Sequence, residues 1–157
     1  MHGEHDLNQL IADWHRRAQQ VQDAHYESGL YYERFFLALG IPVIVLSAFT
    51  GGSEVLGYMP KTVGGVVSLC IAVLAGLQTF LKYSQRAERH RTAGARYGAI
   101  RRDLEEIECR LDNLGEHAFD AVHEVKTRMD SLAAECPEIP HRILLRYRPE
   151  EHGAANV

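Results

Sequence analysis

The sequence predicts an all-α membrane protein: a two-helix transmembrane hairpin whose long helices extend into a cytoplasmic helical bundle. Three observations predict it. Residues 35–53 carry no charge, and neither do residues 62–81. All 17 Lys and Arg and all 21 Asp and Glu fall in the remaining segments, so apolar and heavily charged stretches are spliced together within 157 residues. No period-two alternation, internal repeat or glycine-rich nucleotide loop occurs anywhere.

The first element is a cytoplasmic helix over residues 6–34. Leu7, Ile11, Trp14, Ala18, Val21, His25, Ser28 and Tyr32 recur at alternating spacings of four and three, which is a heptad seam. His25 and Ser28 make it a poor coiled coil and suit it to packing on a neighbouring helix. No Pro occurs between residues 1 and 41, which lets this helix continue into the first span. The polar, charged character of the first 34 residues is not that of a cleaved signal peptide.

Residues 35–53 form the first span and residues 62–81 the second. At about 1.5 Å per residue they reach roughly 28 and 30 Å as helices, the thickness of a hydrocarbon core of about 30 Å. Both are apolar on every face, which a core helix of a small soluble bundle is not. Pro42 inside the first span removes a backbone donor and favours a kink. It reads either as a tolerated membrane proline or as a gating hinge. Residues 54–61 join the spans, with Gly51-Gly52, Gly57 and Pro60 as breakers.

Orientation follows from the basic residues. Arg16, Arg17 and Arg34 precede the spans. Lys82, Arg86, Arg89, Arg91, Arg96 and Arg101 follow them, and the connecting loop has Lys61 alone. Both termini are therefore expected in the cytoplasm.

Residues 82–147 read as cytoplasmic helices. Nothing in the sequence stops the second span's helix before about Leu114-Gly115. Charge along it switches from basic over 82–102 to acidic over 103–124. Ala93, Gly94, Ala95, Gly98 and Ala99 allow close helix approach. A further helix is signalled by Phe119, Val122, Val125, Met129, Leu132 and Ala133, ending at Cys136-Pro137. Ile143, Leu144 and Leu145 mark a short amphipathic piece, and residues 148–157 read as a tail.

Chemistry is sparse. An isoelectric point near 6.1 without a Lys/Arg tract excludes a basic nucleic-acid binder. Cys70, Cys109 and Cys136 lie far apart and form neither a disulfide framework nor a zinc site. Among nine histidines, the pairs His2/His5 and His117/His123 lack metal-ligand context. No catalytic grouping, metal or cofactor is expected, and so no enzyme. The informative polar residues lie in the second span, where Gly65, Ser68, Ala72, Ala75 and Thr79 form a small, weakly polar stripe. It reads as a packing seam between membrane helices or as the wall of a pore. Glu54, Lys61 and Lys82 would sit at the rims of such a pore. Arg86, Arg89, Arg91 and Arg96 suit anionic lipid headgroups or an anionic ligand.

Several segments resemble SLATT domains. They are Trp14-His-Arg-Arg-Ala18, Ala24-His-Tyr26, Leu39-Gly-Ile-Pro42-Val-Ile-Val-Leu-Ser47, Leu77-Gln-Thr-Phe-Leu81, Ser84-Gln-Arg-Ala-Glu-Arg-His90, Ala95-Arg-Tyr-Gly-Ala-Ile-Arg101 and Cys136-Pro-Glu-Ile-Pro140. The similarity covers roughly residues 7–147. SLATT proteins are two-span membrane proteins of prokaryotic conflict systems, thought to supply pore-forming effectors. The resemblance implies a homo-oligomeric pore or channel that permeabilises or depolarises the cell membrane in anti-phage defence. Its implied partners are further copies of itself, the bilayer, and a nucleotide second messenger or cytoplasmic sensor protein as trigger. A non-conducting membrane scaffold or sensor is the rival reading.

Overall fold

The computed structural model describes residues 2–114 and 117–147, with the side chains of residues 7–53, 55–111 and 117–147. The tail at 148–157 and the side chain of Glu54 lie outside the described residues. Helices are the only regular elements among those described: α1 His2–Val55, α2 Lys61–Leu81, α3 Tyr83–Leu114, α4 Ala118–Glu135 and α5 His141–Tyr147. They fall into two units, Leu30–Glu88, and Met1–Gly29 together with Arg89–Val157.

In the unit Leu30–Glu88, α1 continues through Pro42 and ends in a Schellman turn. The Tyr58 amide donates to the Ser53 carbonyl at 3.1 Å, and Gly57 between them adopts a φ of 71°. That left-handed conformation costs glycine nothing and other residues about 1–2 kcal/mol. Pro60 follows in extended geometry and caps α2, its carbonyl accepting from the Gly64 amide at 3.1 Å. The facing surfaces of the two helices are narrow. On α1 they comprise Phe36, Leu39, Gly40, Val43, Leu46 and Thr50, and on α2 Gly64, Val67, Ile71, Leu74, Gln78 and Leu81, each buried or half-buried. Gly40 has a positional reason: a β-carbon there would stand 2.9 Å from the Gln78 amide nitrogen.

Most of the remaining surface of these spans is open. Ile44, Phe49, Leu69 and Phe80 are 65–82% exposed, and only 6% of each apolar window is buried. These are two helices with the length and composition of membrane spans, and they do not serve as the core of a folded bundle.

One expectation fails here. The helix was expected to continue unbroken from the second span to about residue 114. It stops at Leu81, because Lys82 adopts the left-handed conformation at φ 49°, ψ 38°, and α3 starts afresh at Tyr83. No glycine or proline marks the place. The compensation is tertiary: the Tyr83 ring lies 6.1 Å from Tyr32 and 5.6 Å from Phe35 of α1. Aromatic pairs of this kind contribute about 0.5–1.5 kcal/mol each, the size of the backbone cost.

The other unit is built from the start of α1, most of α3, α4 and α5. The α1 seam is buried as its spacing requires, with Leu7, Ile11, Ala18, His25 and Ser28 at 0–5% exposure and Trp14 and Val21 packed beside them. It meets Tyr97, Ile100, Leu104 and Ile107 of α3, and Ala118, Val122, Val125 and Leu132 of α4. Ile11 and Leu104 are wholly excluded from solvent, which is worth about 1.5–3 kcal/mol for each side chain. Gly94 and Gly98 admit α1 closely, under the Tyr26 ring and the Gln22 amide respectively. Phe119, expected on the buried face of α4, is 62% exposed, and Ala118 takes its place. The face runs Ala118, Val122, Val125, Met129, Leu132, and Phe119 stands about 100° away around the helix.

Polar side-chain contacts tie the same helices together at the surface. His15 of α1 meets Glu105 of α3 at 2.9 Å, and Arg128 of α4 meets Asp103 of α3 at 2.7 Å. Cys136 closes α4 by donating its amide to the Leu132 carbonyl, and Pro137 prevents continuation. In α5 only Ile143 is buried; Leu144 and Leu145, expected beside it, are 41% and 55% exposed. Arg146 and Tyr147 both engage Glu27 of α1, which seats α5.

Candidate functional site

The candidate on the apolar helices is the α2 stripe. Gly65, Ser68, Ala72 and Thr79 are exposed, and Ala75 alone is half-buried. The contact with α1 uses the adjacent face, through Gly64, Val67, Ile71, Leu74 and Gln78. The stripe is therefore not the seam within this chain, and it stands ready for a neighbour or for water. The Thr79 hydroxyl donates to the Ala75 carbonyl at 3.0 Å, and Ser47 of α1 donates to Val43 at 2.7 Å. Returning the hydroxyl proton to the helix backbone lets these residues sit in hydrocarbon at low cost.

Of the rim candidates, Lys61 opens α2 and Lys82 follows its last residue, and both are exposed. The carboxylate of Glu54 lies outside the described residues. Near Lys82, the Tyr31, Tyr32, Phe35 and Tyr83 rings form one cluster, with the Arg86 guanidinium 5.9 Å over the Tyr32 ring. Aromatic rings beside basic residues at the end of an apolar helix have the makeup of a membrane–water interface.

The four arginines expected to suit anionic headgroups or an anionic ligand are all exposed. Arg86 belongs to the unit Leu30–Glu88, and Arg89, Arg91 and Arg96 to the other. Arg96 already has an anion, the Glu135 carboxylate of α4 at 3.0 Å.

The second candidate escaped sequence reasoning. His25 of α1 and His90 of α3 are both 2% exposed, and their Nδ1 atoms approach to 3.0 Å. The Tyr97 ring stacks on His25 with centroids 5.7 Å apart. Burial, reinforced by the neighbouring His90, pushes His25 down to about 4. Burial also lowers His90 and raises the Tyr97 phenol. His25 lines a cavity of 370 Å³ with Tyr97, Cys136 and Glu138, and a second cavity of 380 Å³ shares Val21, Tyr97, Ala133, Ile139 and Leu144 with it. The Cys136 thiol is pushed up by burial, which disfavours the nucleophilic thiolate. A signal for the pair exists in the sequence. His90 falls in a second three-four seam of Ala87, His90, Gly94, Tyr97, Ile100, Leu104 and Ile107, and two facing seams each contain one histidine. No group of three or more metal-ligating side chains occurs among the described residues.

No family model, no curated protein and no solved structure matches the chain. The resemblance to SLATT domains rests on the ordered segments of the sequence.

Proposed function

We propose that this chain is a SLATT-type, homo-oligomeric pore or channel effector of the cell membrane, acting in prokaryotic anti-phage defence. The α1 and α2 spans form a transmembrane hairpin with both termini in the cytoplasm, and the four-helix unit is the cytoplasmic bundle. The observation that carries the reading is the exposed stripe Gly65, Ser68, Ala72, Thr79 on an otherwise apolar helix, left uncovered by the chain's own packing. Two helices cannot enclose water, so conduction needs several copies around a common axis. Within twenty residues of the spans, Lys and Arg are distributed nine to one in favour of the terminal side, which supports the orientation. With two hydroxyls and no charge on the stripe, the path gates by dewetting. Opening follows a nucleotide second messenger or a sensor protein.

The test is flux through liposomes, paired with cysteine scanning in a background lacking Cys70, Cys109 and Cys136. Cysteines at 68, 72 and 79 are expected to react with water-soluble thiol reagents. Those at 69, 73 and 80 are expected to react much less, and Ser68→Leu to blunt flux. Equal reactivity around the helix, or no flux from a proven oligomer, moves the reading to a non-conducting membrane scaffold or sensor. Labelling of cysteines at residue 53 and at the C-terminus from the same side would remove the hairpin.

A further inference from the structure

His25 and His90 stand 65 residues apart in sequence, yet their Nδ1 atoms lie 3.0 Å from one another in a site closed to solvent. That contact requires one proton between the two nitrogens: one Nδ1–H donates, and the other Nδ1 is bare and accepts. A first added proton goes to Nε2 of the donating ring and leaves the bond intact, at the cost of one buried charge. A second must occupy the accepting Nδ1. Two N–H groups and two positive charges then face each other across 3.0 Å, and the bond is lost.

The groups around His25 offer little compensation. From α3, Tyr97 stacks on His25 as a neutral phenol whose proton burial holds more firmly. From the end of α4 comes Cys136, also held neutral by burial. Glu138, in the segment between α4 and α5, is the one carboxylate lining the cavity beside His25, and it is exposed to solvent. α5 contributes Leu144 there, and its Arg146 is engaged by Glu27 of α1.

We propose that the His25–His90 pair is a proton-operated latch between α1 and α3, closed while the rings share one proton and parted when both rings are loaded. The latch is independent of conduction and makes the proton an input to the bundle whether the chain is a pore or a scaffold. The direction follows from burial. Each ring binds a proton more readily once released, where its ordinary value is 6.5, than in the closed pair, where His25 is held at about 4 and His90 is lowered. Opening is thus promoted as pH falls below 6.5. Each ring that loads on opening contributes at most about tenfold per pH unit, so from pH 6.5 to 4.5 His25 alone gives roughly 40-fold, and loading of His90 adds to it in the same direction.

The experiment is amide hydrogen exchange on the full chain in lipid nanodiscs from pH 7 to 4.5, corrected for intrinsic rates. Peptides covering residues 18–29 and 90–100 are expected to open at least about 40-fold more at pH 4.5 than at 6.5. The double variant H25F/H90L, which fills the site with apolar side chains, is expected to abolish that dependence. H90Q keeps a neutral hydrogen-bonding partner for His25 and is expected to reduce the slope to one ring's worth. Glu138→Gln is expected to leave the transition unmoved. Imidazole signals of the native chain are expected to titrate below 6.5 for both residues, a readout that stands even if the double variant does not fold. Flat exchange across the range, either ring titrating at or above 6.5, pH dependence surviving in H25F/H90L, or its disappearance in Glu138→Gln would each overturn the latch.

Discussion

The break at Lys82 makes a prediction whose sign, not only its size, discriminates between two structures. Lys82 holds φ 49°, ψ 38°, a conformation that costs a residue with a β-carbon about 1–2 kcal/mol. Glycine escapes that cost but loses more freedom on folding, about 0.5–1 kcal/mol relative to alanine. Lys82→Gly is therefore expected to stabilise the junction by about 0.5–1 kcal/mol relative to Lys82→Ala. Had α2 and α3 been one continuous helix, the order would reverse, since glycine inside a helix is about 1 kcal/mol worse than alanine. The two cases differ by roughly 1.5–2 kcal/mol, more than tenfold in an equilibrium constant. The assay is unfolding of both variants in a mild detergent, read together with exchange of the Arg86 amide, which donates to the Lys82 carbonyl at 3.1 Å. Lys82→Pro, whose ring holds φ near −65°, is expected to disrupt the junction outright. A chain in which Lys82→Ala is the more stable of the two by about 1 kcal/mol would refute the break.

Other expectations follow from the packing. Leu104→Ala, at a site with 0% exposure between α1, α3 and α4, is expected to cost about 2–5 kcal/mol in chemical denaturation, with flux lost only as the bundle unfolds. Arg96→Ala removes an exposed ion pair with Glu135 and is expected to change stability by less than about 1 kcal/mol. Ala72→Leu overfills the exposed stripe and is expected to weaken self-association measured by mass in detergent. Leu74→Ile, on the face covered by α1, is expected to leave association unchanged. Stability of the bundle is expected to fall as pH drops from 6.5 towards 4, because His25 takes up its proton more readily unfolded. At about 1.4 kcal/mol per pH unit the His25 contribution amounts to about 3 kcal/mol, fully present above pH 6.5, and it is measured by denaturation at stepped pH.

Much of the architecture was legible in the sequence because burial and exposure follow local period. The seam from Leu7 to Ser28 alternates four and three, and the fold buries it. Residues 35–53 and 62–81 are apolar on every face, and the fold leaves all but one narrow face of each open. Gly57 and Pro60 mark the turn, and the backbone conformation at each is the one its side chain permits. Where two neighbouring faces have similar composition, period gives no answer. On α2 the stripe of Gly65, Ser68, Ala72 and Thr79 and the face of Gly64, Val67, Ile71 and Gln78 are both acceptable contact surfaces. Only the approach of Gln78 to Gly40 decides which of them α1 covers.

By itself, then, the sequence determined that the chain is helical, that two of its helices are apolar enough to span a bilayer, and that the first seam must find a partner. These properties depend on side-chain pattern within a few turns, which each residue and its near neighbours set. The tertiary structure alone decided the stop at Lys82, the exposure of Phe119, the pairing of Arg96 with Glu135 and the meeting of His25 with His90. Each depends on which residue of a distant helix arrives opposite. Tyr83 meeting Tyr32 compensates a strained backbone, and burial between the helices lowers the proton affinity of both imidazoles. Such contacts are properties of two helices in register, and neither helix carries them alone.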